Sequence, residues 1–273
     1  MDINNLIDKA REIRKDIIEI AYKAQGPSHP GPALSCADIV AALYFKIMKI
    51  DPANPRWEER DRFILSKGHA CPVLYAALAE RGYFDKSLLY SVRHLNSKLQ
   101  GHPDMTKTPG VDMTSGSLGN GLSAGLGIAM ALRIKKIHSN VFVLLGDGEL
   151  QEGENWEAAM AAPRFEVDNL VAIIDYNHLQ SGGKTDEILS LEPLQDKWEA
   201  FGWKVFEMNG HNMEDIVAKL ELAVGFQGQP TMLIAHTIKG KGVSYMENNH
   251  AWHARTPTQA EYEQAVKELA VSC

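Results

Sequence analysis

Asp147 and Asn177 each stand just past the end of a short apolar run, and that placement has chemical content. The run from Val141 to Leu145 gives way to Gly146-Asp147-Gly148-Glu149-Leu150, and the run from Leu170 to Ile174 gives way to Asp175-Tyr176-Asn177. Apolar runs that stop this abruptly read as buried parallel strands. The stretch between them, Gly153 to about Arg164, reads as a helix. The unit is then βαβ, with Asp147 and Asn177 at the carboxyl ends of two parallel strands, where open α/β sheets bind ligands. One carboxylate and one amide oxygen at such an edge suit a hard cation that keeps other positions open for phosphate oxygens, which describes Mg²⁺. The flanking glycines let the backbone come close to a diphosphate.

Four of the ten histidines sit in or beside rigid loops: His29 in Ser-His-Pro-Gly, His69 in Lys-Gly-His-Ala, His102 in Gly-His-Pro-Asp and His253 in Trp-His-Ala-Arg. A surface histidine on a turn is the ordinary reading for any one of them. Four together favour a shared site, because functional side chains concentrate on loops held by a scaffold. Zinc is the competing idea, but no helical His pair and no cysteine cluster supports it. His94, His138 and His211 read as structural or surface residues, and His178, His236 and His250 stay open.

The elements that must position these groups alternate. Apolar residues recur at helical spacing from Ile3 to Ala24, and this first helix stops at Gly26-Pro27. The prolines at 27, 30 and 32 predict an irregular loop, followed by a helix from about Ser35 to Met48. A strand at Arg62–Leu65, a turn into a helix through Leu78, and a helix over Ser87–Leu95 come next, then a loop from Gln100 to Met113. The helical stretch Leu118–Ile134 carries Gly119, Gly121, Gly125 and Gly127, which predicts that another helix or a ligand packs very close. A polar loop over Gln180–Glu187 precedes a strand at Trp203–Met208, a helix at Met213–Val224 and a strand at Thr231–Ala235. Lys239-Gly-Lys-Gly242 opens a long loop to Pro257, and Thr258 caps a last helix to about Val271. This order predicts an α/β fold: a doubly wound, mostly parallel sheet flanked by helices, with residues 1–273 as one domain.

Composition narrows the function classes. The net charge of −7 argues against non-specific nucleic-acid binding. Cys36, Cys71 and Cys273 form neither a disulfide framework nor a C-x-x-C signature, so a cytoplasmic setting is expected. No secretory leader and no membrane span is expected.

Several motifs in order make the chain similar to the thiamine-diphosphate-binding amino-terminal part of transketolases. They are Ser28-His29-Pro30-Gly31, Leu65-Ser66-Lys67-Gly68-His69-Ala70, Gly101-His102-Pro103, Gly116 to Gly121, Gly146 to Gly153, and Lys239 to Gly242 with Trp252-His253. The aspartate–asparagine pair marks only the broad class of thiamine-diphosphate enzymes. The Lys-Gly-His and Gly-His-Pro motifs narrow it to transketolase-like proteins. The resemblance implies that Asp147 and Asn177 ligate Mg²⁺ by side chain and Leu179 by its carbonyl, with Ca²⁺ or Mn²⁺ as substitutes. It implies cofactor contacts from His69, Gly116, Ser117, Leu118, Gly146, Gly148, Glu149, Asn177, Lys239 and His253. It implies that His29, His102 and His253 face the sugar and move protons, and that Glu152 lies in a carboxylate network near a subunit interface. The sequence departs from the family at Ser28, Pro32 and Asn120, which bears on the shape of the sugar channel.

Full transketolases continue into pyrimidine and carboxyl-terminal domains, whereas this chain ends at Cys273. The resemblance places on the missing part the glutamate that activates the cofactor, and no glutamate here matches that role. The expectation is one half of a split transketolase, completed by a carboxyl-terminal subunit in an α₂β₂ assembly; a piece of a longer protein is the other reading of the length. The implied activity is transfer of a two-carbon ketol unit from a ketose, usually phosphorylated, to an aldose. Alternatives are a split relative for a sulfosugar or branched-chain ketose phosphate, and a non-catalytic cofactor-binding module.

Overall fold

The computed structural model describes residues 1–270. Strands β1 (Arg62–Leu65), β2 (Val141–Gly146) and β3 (Leu170–Tyr176) lie side by side. A small hairpin follows, β4 (Leu179–Gln180) against β5 (Gly183–Lys184). Strands β6 (Lys204–Asn209) and β7 (Thr231–His236) complete the main sheet in the order β1-β2-β3-β7-β6, with every neighbouring pair parallel. The predicted doubly wound parallel sheet is therefore present.

The strands alternate their buried side chains between two layers. Phe63, Leu65, Phe142, Leu144, Val171 and Ile173 point into one core with helices α1 (Ile3–Lys23), α2 (Pro30–Ser35), α3 (Ala37–Ala42) and α4 (Cys71–Arg81). Ile64, Val143, Leu145, Ala172 and Ile174 point into the other core with α5 (Asn120–Ile134) and α6 (Gly153–Arg164). Both faces are covered, which is why β2 and β3 read as unbroken apolar runs rather than as alternating ones.

Several boundaries differ from the sequence expectation. The helix expected from Ser35 begins at Pro30, because Pro30 and Pro32 occupy a first turn, where a missing N–H breaks no intrahelical bond. It breaks at Cys36, resumes as α3, and ends in a wider turn over Leu43–Ile47. The helix expected over Ser87–Leu95 shrinks to a single 3₁₀ stretch, Lys86–Ser91, since Arg93 and Asn96 take left-handed backbone angles that stop it. The expected loop at Gln180–Glu187 holds the β4–β5 hairpin and the start of α7 (Thr185–Leu189). Helix α8 (Leu194–Ala200), pinned by the fully buried Trp198, was not expected; its length gives too few turns for a period. Helix α9 (Met213–Gly225) lies where predicted.

Of the four glycines, Gly119 packs against Glu152 at the start of α6, where a Cβ would lie 2.8 Å away, and Gly121 and Gly125 pack against the end of β1 and against β2. A Cβ on Gly121 would lie 2.1 Å from Ser66 Oγ, and one on Gly125 would lie 2.5 Å from a methyl of Val143. Gly127 faces open space. The last helix, α10 (Gln259–Ala270), starts with the predicted cap. The Glu261 N–H donates to Thr258 Oγ1 at 3.3 Å, and the Thr258 N–H donates to Glu261 Oε2 at 2.8 Å. Its expected end at Val271, and Cys273, lie outside the described residues.

Candidate functional site

The register of β2 on β3 sets Gly146 opposite Asp175, so Asp147 and Asn177 leave the sheet at the same edge. Asp147 Oδ1 accepts the Gly148 N–H at 2.7 Å and Oδ2 accepts the His178 N–H at 2.5 Å. His178 has a left-handed φ of 62°, and this turn aims its amide at the carboxylate. Asn177 Oδ1 accepts the Leu179 N–H at 3.1 Å. The Leu179 carbonyl accepts the Lys239 ammonium at 2.7 Å, and that ammonium also lies 3.0 Å from His253 Nδ1.

Burial, and then the neighbouring Asp175 carboxylate, push Asp147 above the usual carboxylate range. Burial pulls Lys239 below the usual lysine range. Asp147 thus sits where more positive charge is favourable. A carboxylate, an amide oxygen and a carbonyl form an all-oxygen donor set that fits Mg²⁺ completed by phosphate oxygens. The ammonium on the Leu179 carbonyl stands at one of those donors as a cation already. Among the described residues no group of three or more His, Cys, Asp or Glu side chains is gathered to hold a metal.

Three of the four loop histidines meet beside these donors. The His29 ring is 5.2 Å from His69 and 5.6 Å from His253, and His69 is 5.0 Å from His253. His29 precedes α2, His69 lies in the turn after β1, and His253 follows the short turn His250–Trp252. Two glycines permit the meeting. A Cβ on Gly31 would lie 2.7 Å from the Trp252 carbonyl oxygen, and one on Gly68 would lie 2.7 Å from Ser115 Oγ. Burial, then the charges of nearby His102, Arg93 and Lys239, lower His29 to about 4. Burial and Lys239 lower His253 to about 3, and burial holds His69 well below its ordinary value. All three imidazoles are neutral at pH 7, each with one donor and one acceptor nitrogen.

The cleft itself has a volume of about 220 Å³. That is below the roughly 300–1,000 Å³ of pockets that enclose most of a ligand. Its walls include His69, Leu118, Gly146, Asp147, Gly148, Glu149, Glu152, Asn177, Leu179, Lys239 and His253 from the sequence-based set. His29 stands behind His69 and His253. His102 is exposed and lies against Gly116, whose Cβ would be 3.1 Å from its ring. Ser117 and Glu152 are exposed. Glu149 is buried beneath the acidic turn, where it accepts from Ser66 Oγ and from the Gly119 and Gly146 N–H groups, the latter two each at 3.0 Å. A larger hollow of about 640 Å³, lined by Arg133, His138, Asn169 and Phe226 among others, lies at the opposite edge of the sheet and contains none of the motif residues.

Lys67, Gln151, Gln180 and Ser181 also line the cleft and had no role in the sequence reading. Asp175 was likewise missed. It is fully buried and pairs with Lys67 at 2.5 Å. The available signal was a carboxylate set inside an apolar strand, since a buried charge requires a partner.

Residues 3–272 match the transketolase thiamine diphosphate binding domain. The chain belongs to the transketolase family. Among its transketolase relatives is 6-deoxy-6-sulfo-D-fructose transketolase subunit SqwG of Clostridium sp. (strain MSTE9), 48% identical over 97% of this chain and 96% of that protein. The apulose-4-phosphate transketolase subunit of Phocaeicola vulgatus is 45% identical over 99% of this chain and 95% of its own length. Human transketolase is 38% identical over 97% of this chain, which spans 42% of that protein. Among solved structures, transketolase from Campylobacter jejuni superposes with a TM-score of 0.89 at 31% identity, covering 100% of this chain and 44% of that one. Transketolase from Leishmania mexicana superposes with a TM-score of 0.90 at 28% identity, covering 99% and 41%.

Proposed function

We propose that this chain is the Mg²⁺- and thiamine-diphosphate-binding subunit of a two-subunit transketolase, residues 1–273 forming one cofactor domain. The observation that carries this reading is the meeting in one cleft of Asp147, Asn177 and the Leu179 carbonyl with the neutral imidazoles of His69 and His253, against which His29 packs. Asp147, Asn177 and Leu179 would hold the metal; Gly148, His69 and Lys239 would face the diphosphate. Thiamine diphosphate, when bound, supplies the carbon nucleophile for C–C cleavage. The protein's part is to hold it and to move protons at sugar oxygens. A neutral imidazole can donate to one oxygen and accept from another, so His29, His253 and the more exposed His102 are suited to that role.

The need for a partner is supported by the names of relatives that this chain matches, which are called subunits, and by the small cleft. The chain spans nearly all of relatives named as subunits but under half of undivided transketolases. The partner would be a carboxyl-terminal subunit carrying the pyrimidine domain, in an α₂β₂ assembly. No helix among the described residues is long and apolar enough to cross a membrane. The buried thiols of Cys36 and Cys71 suit the reducing cytoplasm that this reading includes.

The names of the subunit-length relatives favour a more specific form of the reading: a donor or acceptor that is a sulfonated or branched-chain sugar rather than a common pentose phosphate. Calorimetric titration with thiamine diphosphate in the presence and absence of Mg²⁺ tests the cofactor assignment. The expected result is metal-dependent binding that Asp147→Ala abolishes. Metal-independent binding, or none with or without a partner, would point to a non-catalytic module.

A further inference from the structure

Asp175 has no open space around it and no contact with the cleft, yet groups from four separate parts of the site end on its carboxylate. Its Oδ2 accepts from Ser35 Oγ at 2.5 Å, from Lys67 Nζ at 2.5 Å and from Asn177 Nδ2 at 3.0 Å. Its Oδ1 accepts from Thr237 Oγ1 at 2.5 Å. Lys67 also donates to the Pro32 carbonyl at 2.7 Å. The end of helix α2, the Lys-Gly-His turn, the asparagine loop and the segment leading to Lys239 are therefore tied to one buried anion.

One of these bonds has a chemical consequence at the metal donors. A carboxylate paired with lysine accepts and cannot donate. The side of Asn177 that meets it must therefore be the NH₂, and the amide oxygen must face away, toward the Leu179 turn and the cation position. A neutral residue at 175 that can also donate would leave only the Leu179 N–H, 3.1 Å from Oδ1, to favour that orientation.

We propose that Asp175 is a positioning residue: it fixes the rotamer of Asn177 so that Oδ1, not Nδ2, is offered to the metal. This rests on the Mg²⁺–thiamine diphosphate reading of the cleft and adds to it the residue that sets one ligand's orientation. Outer partners of metal ligands change affinity by about 10- to 100-fold when replaced, and Asp175→Asn is expected to weaken Mg²⁺-dependent thiamine diphosphate binding by that factor. Asn177→Asp sets two acceptors face to face and weakens binding as well. The double variant Asp175→Asn/Asn177→Asp restores a donor opposite an acceptor with the direction reversed, and it is expected to regain most of the loss.

The test is calorimetric titration of thiamine diphosphate at saturating Mg²⁺ for the full chain and these three variants, beside the unfolding midpoint of each without ligand. A purely structural role predicts losses that add in the double variant and follow the unfolding midpoints; that result overturns the proposal. Unchanged affinity in Asp175→Asn overturns it too while leaving the cofactor reading intact. A wild-type chain that binds neither alone nor with its partner overturns both. If Asp175→Asn does not fold, Thr237→Val takes its place. It removes one of the four donors, leaves the charge pair, and is expected to weaken binding severalfold; no change there overturns the proposal.

Discussion

The Lys239 ammonium donates to the Leu179 carbonyl at 2.7 Å, the same oxygen that family resemblance gives to the metal. That oxygen has a second lone pair for a metal, but a cation held there would stand close to the ammonium and would favour its moving toward the diphosphate or toward His253, 3.0 Å from it. Lys239→Met separates these roles. Mg²⁺ alone should bind at least as well as to the wild type, because a nearby like charge is gone. Thiamine diphosphate should bind about 10- to 150-fold more weakly, since a buried charge-assisted bond is worth about 1.5–3 kcal/mol. Separate titrations of metal and cofactor check this; parallel losses in both would contradict it.

Three neutral histidines make the chain acid-sensitive. His29 and His253 are lowered to about 4 and about 3, and His69 is held well below its ordinary value by burial. Between those values and the ordinary 6.5 the unfolded chain binds more protons than the folded one. Stability is therefore full above about pH 6.5 and falls as pH drops through that window. Urea unfolding between pH 7 and 4 should show this, and His29→Gln should flatten the slope by up to one proton. An unchanged slope in that variant would remove His29 from the account.

Asp16 acts in the opposite sense. It is buried at 4% exposure, pairs with Lys86 at 2.8 Å through Oδ1, and has no hydrogen-bond partner at Oδ2. Burial raises it to about 6. Its folded form binds the extra proton, so this contribution is full below the ordinary carboxylate value and is lost as pH rises through 6. Asp16→Asn should stabilise the chain at pH 7.5 by roughly 1 kcal/mol, discounted for the partly exposed Lys86. The gain should vanish at pH 4. A loss of stability at pH 7.5 would show that the ion pair outweighs the burial penalty.

Gly121 and Gly127 on the same helix should respond in opposite directions. Gly121→Ala drives a methyl into Ser66, and overpacking of this kind costs about 1–3 kcal/mol. Gly127→Ala meets nothing within 4 Å and should stabilise by up to about 1 kcal/mol. Paired denaturant titrations decide it; equal effects would mean that α5 shifts to absorb both.

The strand ends were readable because β2 and β3 are buried on both faces and their apolar runs stop at glycine or at an acidic residue. That was enough to bring Asp147 and Asn177 together. The histidine loops were readable as a group because proline and glycine fix their backbones. The start of α2 was not: Pro30 and Pro32 break a helix in the middle but are tolerated in its first turn, and composition does not say which applies. Nor was the packing of Gly121, since a close approach to Ser66 depends on where β1 ends relative to α5. Asp175 and Lys67 were hidden for a related reason. Each looks like an ordinary charge until the sheet register shows that neither reaches water.

The central claim is that these residues make half of an active site. Its most direct test is a ketol-transfer assay with Mg²⁺ and thiamine diphosphate, using this chain alone, a pyrimidine-domain partner alone, and the two mixed. The donors should include common, sulfonated and branched-chain ketose phosphates. Transfer is expected only in the mixture, and is lost when this chain carries Asp147→Ala. Sustained transfer by this chain alone would contradict it.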